Sequence, residues 1–316
     1  MYVVLDNHKF GDLEPYLFKS IDKGKTWQSM RGDLPGRTLL WRIVQDHKKP
    51  ELLFLGTEFG VYFTIDGGKK WIKLTGGIPN ISVRDLVIQK QEDDLVAASF
   101  GRGFFILDDF SPLREVSQNL LDEKSHLFKP DTALWFTPRR TVGHAEKGSQ
   151  GAGYFTAPNP PFGAVFTYYL KEGFKSKKEL REENDKKLAK ENKDIPFPGW
   201  EELEAERNEV KPAVILSIED ADGNPVDRIS GAVGTGIHRV YWDLRYPSAR
   251  AINPDRVDPE DDDPRGLIAE PGTYKVSLLQ IIDGKTTVLA GPETFEVVPL
   301  FEGTLTGNTP ADTDQY

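Results

Sequence analysis

Two residue pairs with chemical potential stand 43 positions apart, Trp41-Arg42 and Arg84-Asp85, each opening a short apolar run. Nearby segments carrying Glu58, Phe59 and Arg102 could join them. A carboxylate among guanidinium groups can serve an anionic ligand. Cleaving a glycosidic bond needs two carboxylates, about 5–5.5 Å apart for retention or roughly 6.5–9.5 Å for inversion. Asp85 is the candidate carboxylate, with Arg84 or Arg102 as anion contacts. The competing reading makes Arg84 and Asp85 an ordinary structural ion pair. No second carboxylate can be placed beside Asp85 from the sequence.

Other chemistry finds less support. His8, His47, His126, His144 and His238 lack metal-ligand spacing, so no zinc site is expected. The run DRVDPEDDD offers Asp258, Glu260 and Asp262 as oxygen ligands for calcium. It lacks the order of a helix–loop–helix calcium loop, and a solvated acidic loop is the alternative. No phosphate-cradling loop, nucleophile elbow or dinucleotide fingerprint occurs. With no cysteine, disulfides and thiol chemistry are excluded, and no other cofactor is expected. A net charge of −10 disfavours nucleic acid as a partner. No run approaches the roughly 18–20 apolar residues of a membrane span. Met1-Tyr2-Val3-Val4-Leu5-Asp6 has no export signal and reads as a strand already in progress.

The elements that would position these residues come from a repeat. Ser20 to Trp27, SIDKGKTW, returns as TIDGGKKW from Thr64 to Trp71, an offset of 44. Gly60–Asp66 aligns with Gly103–Asp109 at an offset of 43, as do Leu52–Leu55 with Leu95–Ala98 and Trp41–Val44 with Arg84–Val87. Asp22 is expected to accept hydrogen bonds from turn amides ahead of it, Gly24 to supply a positive φ, and Trp27 to bury its ring under the hairpin. Asp66, Gly68 and Trp71 repeat those structural roles. Four short strands per repeat, near Leu40–Gln45, Glu51–Gly56, Val61–Ile65 and Lys70–Leu74 in the complete copy, is the spacing of a propeller blade. A linear solenoid of hairpins is the alternative. About two to three blades cannot close a ring, so upstream blades of the same protein are the expected partner, or several chains complete one ring.

The expected fold class is all-β, with blades over 1–112 and a connecting strand with a Gly/Pro-rich linker over 113–153. An immunoglobulin-like sandwich over 154–300 and a polar tail over 301–316 follow. The strand around Leu134-Trp135-Phe136 is expected to pair back onto the blades. A charged insertion over 171–210 interrupts the sandwich. Ser176-Lys177-Lys178-Glu179 reads as a capping box, and Glu182–Lys186 and Glu183–Lys187 as ion pairs along the helix. A second helix is expected around Trp200–Arg207. The insertion is either a solvated helical excursion packed by Leu180, Leu188, Trp200 and Leu203, or a partner-docking arm.

The pattern S-x-D-x-G-x-T-W resembles the Asp-box, or BNR repeat, of sialidases, xyloglucanase-type glycosidases and sortilin-like propellers. With FGRGFFILDD and an immunoglobulin-like domain bearing HRVYWDL and PGTYKV, most of the chain resembles bacterial sortilin- or VPS10-like proteins, also known as BNR-repeat glycosyl hydrolases. The resemblance implies a structural, peripheral role for Asp22 and Asp66. It implies an extracytoplasmic binding or scaffold protein holding a peptide or glycan in its central channel. The alternative is a glycoside hydrolase of xyloglucanase or sialidase type with most catalytic residues upstream, and a third reading is a structural accessory module.

Overall fold

The computed structural model describes residues 1–136, 157, 159–248 and 266–301. These are mostly β-strand with few helices. The chain divides into two compact units, Met1–Leu120 and a second from Leu121 on.

The first unit holds three antiparallel sheets. The first joins β1 (Tyr2–Asn7), β2 (Asp12–Lys19) and β3 (Gln28–Ser29). The second is four-stranded, in the order β4 (Leu40–Gln45), β5 (Leu53–Thr57), β6 (Gly60–Thr64) and β7 (Ile72–Lys73). The third joins β8 (Val83–Gln89), β9 (Asp94–Ser99) and β10 (Phe104–Leu107), with β9 central. Two short helices follow, α1 (Pro112–Glu115) and α2 (Gln118–Asp122).

All five residues of β5 are buried because both faces of its sheet are covered. Leu53 and Leu55 join Leu17 of the first sheet and Leu40 in one cluster. Phe54 and Val61 join Leu86, Leu95 and Ala97 of the third sheet in another. The third repeat is not aligned at one offset. Leu55 lies opposite Ile43, and Ala97 opposite Leu86, so β9 is displaced by 42 residues while β8 keeps 43. Both β4 and β8 open on a bulge, so the slip arises elsewhere: the β8–β9 connection is one residue shorter than that between β4 and β5.

Each DxG turn is held by its own aspartate, and the second also locks two neighbouring sheets together. Thr26 donates to Asp22 through its N–H at 2.9 Å and its hydroxyl at 2.7 Å, while Ser20 donates its hydroxyl to Asp22 and accepts from the Gly24 N–H. The Thr26 amide leads these contacts in holding the Asp22 carboxyl down at about 2. In the second copy the Lys69 and Lys70 N–H groups donate to Asp66 at 3.0 and 3.1 Å. Met30–Asp33, the segment after β3, closes on this second turn. Trp71 donates its indole N–H to the Met30 carbonyl at 3.2 Å and its backbone N–H to Asp33 at 2.7 Å. Gly68 sits at φ +93°, a conformation that favours glycine, and a Cβ there would push aside the flexible end of Met30, 2.7 Å from its Cε.

Trp71 is 6 % exposed, but Trp27 is 43 % exposed, against the expectation that both rings are buried. Both rings lie under their turn glycines, Gly24 and Gly68. Burial of Trp71 is completed by Met30 of the preceding sheet, and no described sheet stands on the corresponding side of Trp27.

The second unit packs two sheets. One has the order β11 (Ser125–Leu127), β13 (Ala164–Leu170), β16 (Gly236–Trp242), and the other β12 (Ala133–Trp135), β18 (Lys285–Pro299), β17 (Gly272–Ile282), β14 (Ala213–Asp220), β15 (Pro225–Gly231). Phe166, Tyr168 and Trp242 from the first meet Leu216, Val276 and Phe295 from the second in one core. The strand at Leu134 does not pair back onto the first unit: β12 runs parallel to β18, Leu134 opposite Val298. Strand β15, absent from the sequence reading, pairs along β14.

The insertion forms α3 (Lys177–Lys190) and α4 (Trp200–Arg207), and α3 begins with a complete capping box at Ser176 and Glu179. The expected ion pairs are replaced: Glu182 meets Lys178 at 3.9 Å and Glu183 meets Lys175 at 2.6 Å. Leu180 and Trp200 are 54 % and 78 % exposed, so they do not pack the insertion. Arg181 ties the helices instead, donating two hydrogen bonds to Glu206.

Truncating the covered ring should cost far more than truncating the open one. Urea unfolding of the full chain is expected to show a loss of about 3–5 kcal/mol for Trp71→Ala and under about 1 kcal/mol for Trp27→Ala. Equal losses would mean that the first ring is covered as well.

Candidate functional site

The two bulges decide what the first unit presents. Registers skip Trp41 between Leu40 and Arg42, and Arg84 between Val83 and Asp85. A bulged residue leaves the pleat and can re-aim its side chain. The sheets approach closely here: a Cβ on Gly56 would stand 2.8 Å from the Val83 carbonyl oxygen. Trp41 and Arg84 therefore meet across the gap.

The Arg84 guanidinium carbon lies 3.6 Å from the Trp41 ring centroid and 5.5 Å from that of Phe100. Glu58, on the β5–β6 turn, is the hub. It accepts hydrogen bonds from the Trp41 indole N–H and the Ser82 hydroxyl, each at 3.0 Å, and lies 3.5 Å from Arg84. His8 packs its ring against Trp41 at 6.1 Å and contacts Asp6, whose carboxyl it holds below the usual range. The three sheets thus contribute to one continuous surface. Its aromatic rim is open: Phe59 is 49 % and Phe100 71 % exposed.

The structure brings together some of the residues singled out in the sequence and separates others. Arg84 and Asp85 do not pair with each other. Asp85 pairs with Arg42 at 3.2 Å, and Arg84 turns to Glu58. Arg102 is exposed on the β9–β10 turn. Asp22, Gly24, Trp27, Asp66, Gly68 and Trp71 belong to the turns already described. Asp258, Glu260 and Asp262 lie outside the described residues. Glu58 was only a residue on a joining loop in the sequence, and its role as hub rests on contacts 17 to 26 residues away, which no local pattern encodes.

Glu58 and Asp85 each have donors or cations as their partners. The guanidinium, set against aromatic faces with its side chain 44 % exposed, presents a cation framed by apolar surface.

A second cluster has ligand-like composition. Oxygen and nitrogen atoms of Asp46, His47 and Asp93 converge within 4.8 Å. Arg114 of α1 fills that space, donating to Asp46 at 2.7 and 2.8 Å and to Asp93 at 2.5 and 2.6 Å. Lys48 adds a contact to Asp93 at 2.8 Å. Burial opposes ionisation of Asp46, but the Arg114 guanidinium and the Lys49 amide outweigh it and lower its pKa. Asp93 is held at about 2, chiefly by Arg114. Two anions already satisfied by a bidentate guanidinium form a structural clamp rather than a metal site.

In the second unit, a cleft of about 340 Å³ is lined by Asp220, Tyr246, Glu270 and Tyr274. Burial pushes Tyr274 up to about 12, and Asp220 is occupied by donors from Asp222 and Asn224. No described helix is long and apolar enough to cross a membrane.

No family model matches the chain, and neither does any curated protein. Among solved structures, one of the extracellular domain of BT4673 from B. thetaiotaomicron, described as a one component system, matches with a TM-score of 0.25 and 12 % identity. It covers 95 % of this chain and 31 % of that one. Another, described as a hybrid two component system, matches with a TM-score of 0.23 and 11 % identity over 94 % of this chain and 30 % of that one. The chain spans about a third of the length of these structures, and likeness at this level transfers neither fold nor function.

Two outcomes separate the open surface from the clamp. Arg84→Ala should change stability by about 0.5–1 kcal/mol in urea unfolding; a much larger loss would make the surface a structural network. Arg114→Met should cost about 3–5 kcal/mol, because it strands two largely buried carboxylates. Both aspartates have folded pKa values below their unfolded values. The stabilisation is therefore complete above about pH 4 and lost as pH falls toward 2. Native protein should show that loss in acid titrations of stability, and Arg114→Met should show a flatter profile.

Proposed function

We propose that the first unit is part of an Asp-box propeller and the second an immunoglobulin-like domain with a helical insertion. On this reading the protein is an extracytoplasmic binding or scaffold module of sortilin/VPS10-like type. Its ligand, a peptide or glycan, docks on the surface built by Trp41, Glu58, Arg84 and Phe100. Further sheets of the same repeat are its structural partners, covering the open Trp27 side. The observation that carries the reading is the Arg84 guanidinium seated 3.6 Å over Trp41, with Phe100 beside it and open to solvent. Such a site offers a charge-assisted anchor and apolar contact at once. The glycoside hydrolase alternative requires a pair of carboxylates free to exchange a proton with the substrate, and the partners of Glu58 and Asp85 weigh against it.

Peptide and glycan arrays probed with the full chain test this function. A ligand class is expected to bind, and Arg84→Ala and Phe100→Ala should each weaken it by about tenfold or more while leaving stability within about 1 kcal/mol. Binding unchanged in both variants, or turnover of chromogenic glycosides lost on Glu58→Gln, would overturn it.

A further inference from the structure

The outer edges of the first two sheets are closed in the same way. Strand β3 lies beside β2 with Phe18 opposite Ser29, and β7 beside β6 with Tyr62 opposite Lys73. In each case the residue after the outer strand donates its N–H inward, Met30 to the Leu17 carbonyl and Leu74 to the Val61 carbonyl, both at 2.8 Å. The two outer segments share a pattern, Trp27-Gln28-Ser29-Met30 and Trp71-Ile72-Lys73-Leu74.

The third sheet ends at β10, with no strand beyond it among the described residues. Phe104 lies opposite Ala98 as Val61 lies opposite Gly56, and Ile106 opposite Val96 as Phe63 lies opposite Phe54. Phe104 and Ile106 therefore stand where Val61 and Phe63 meet the outer strand. The Ser99 N–H donates to the Gly103 carbonyl, which fixes the phase of the ladder. Phe105 and Leu107 then face β9, while Phe104 and Ile106 turn their backbone groups away from it. The sheet face that carries their side chains is open as well, with Phe104 72 %, Ile106 59 % and Val87 54 % exposed, whereas Val61 lies on a covered face. An unpaired edge with exposed apolar side chains is a template for another strand.

We propose that the free edge of β10 accepts an extended peptide segment as a fourth strand, and that the segment has the Trp-x-x-Leu/Met pattern of the chain's own outer strands. The last residue of that pattern donates its N–H to the Phe104 carbonyl, as Leu74 does to Val61. The residue two before it pairs with Ile106, as Ile72 does with Phe63. The pattern, rather than a second β10, is the fitting occupant because both filled edges in the unit carry it. This site is separate from the Arg84 surface and does not depend on its ligand.

The test is fluorescence anisotropy of a labelled peptide with the sequence of residues 69–76, KKWIKLTG, titrated with the full chain. Saturable binding is expected. Ile106→Pro removes an outward N–H without touching the β9 ladder and should weaken binding by about tenfold or more. A peptide N-methylated at its leucine should lose affinity for the native chain to the same extent, which decides the matter even where the proline variant fails to fold. No saturable binding up to about 1 mM, or equal affinity for all three combinations, would overturn the proposal. So would a native dimer in sedimentation that Ile106→Pro disperses without any peptide binding, since the edge would then belong to a second copy.

Discussion

The first unit depends on one constraint: its sheets are apolar on both faces, so each needs a neighbour on either side. Strand β5 shows the constraint satisfied, with every residue buried between two clusters. The neighbour is held at a fixed distance by the lock between Met30–Asp33 and the Gly68–Trp71 turn, where the indole N–H and a backbone N–H donate and a Cβ on Gly32 would stand 2.5 Å from the Gly68 carbonyl oxygen. Dispersion and burial supply the attraction across the gap. The hydrogen bonds supply direction and register.

That spacing is what creates the exposed surface on the first unit. The bulges at Trp41 and Arg84 point both side chains into the opening between sheets, and the close approach of Gly56 to Val83 lets them stack. Glu58 then finds its three partners on two sheets. The Arg114 clamp holds a different part of the same unit, tying Asp46 and Asp93, which lie far apart in sequence. Both clusters use arginine, but for opposite ends. Arg114 is largely buried and spent on two carboxylates, whereas Arg84 is nearly half exposed and meets a single carboxylate at 3.5 Å.

What the sequence disclosed follows the range of the interactions. The DxG turns were legible because their hydrogen bonds span two to four residues. Strands β4 and β6 were legible from their apolar and β-branched runs. The capping box at Ser176 is equally local. The exposure of Trp27 and the hub role of Glu58 were not legible, because each depends on a neighbouring sheet, and the slip of β9 was hidden in a β8–β9 connection one residue shorter than its counterpart. Strand β15 was hidden by its composition: Asp227 and Arg228 interrupt the apolar alternation, and only its pairing with β14 makes it a strand. Helix ion pairs failed for a related reason, since Lys175, outside the helix, reaches Glu183 first.

Amide hydrogen exchange along β10, read residue by residue by NMR, tests most directly whether the third sheet ends at this strand. The account predicts alternation: slow exchange at Phe105 and Leu107, whose N–H groups face β9, and fast exchange at Phe104 and Ile106, whose N–H groups face outward. Uniform protection of all four amides would mean that the edge is already closed and that the third sheet does not end at β10.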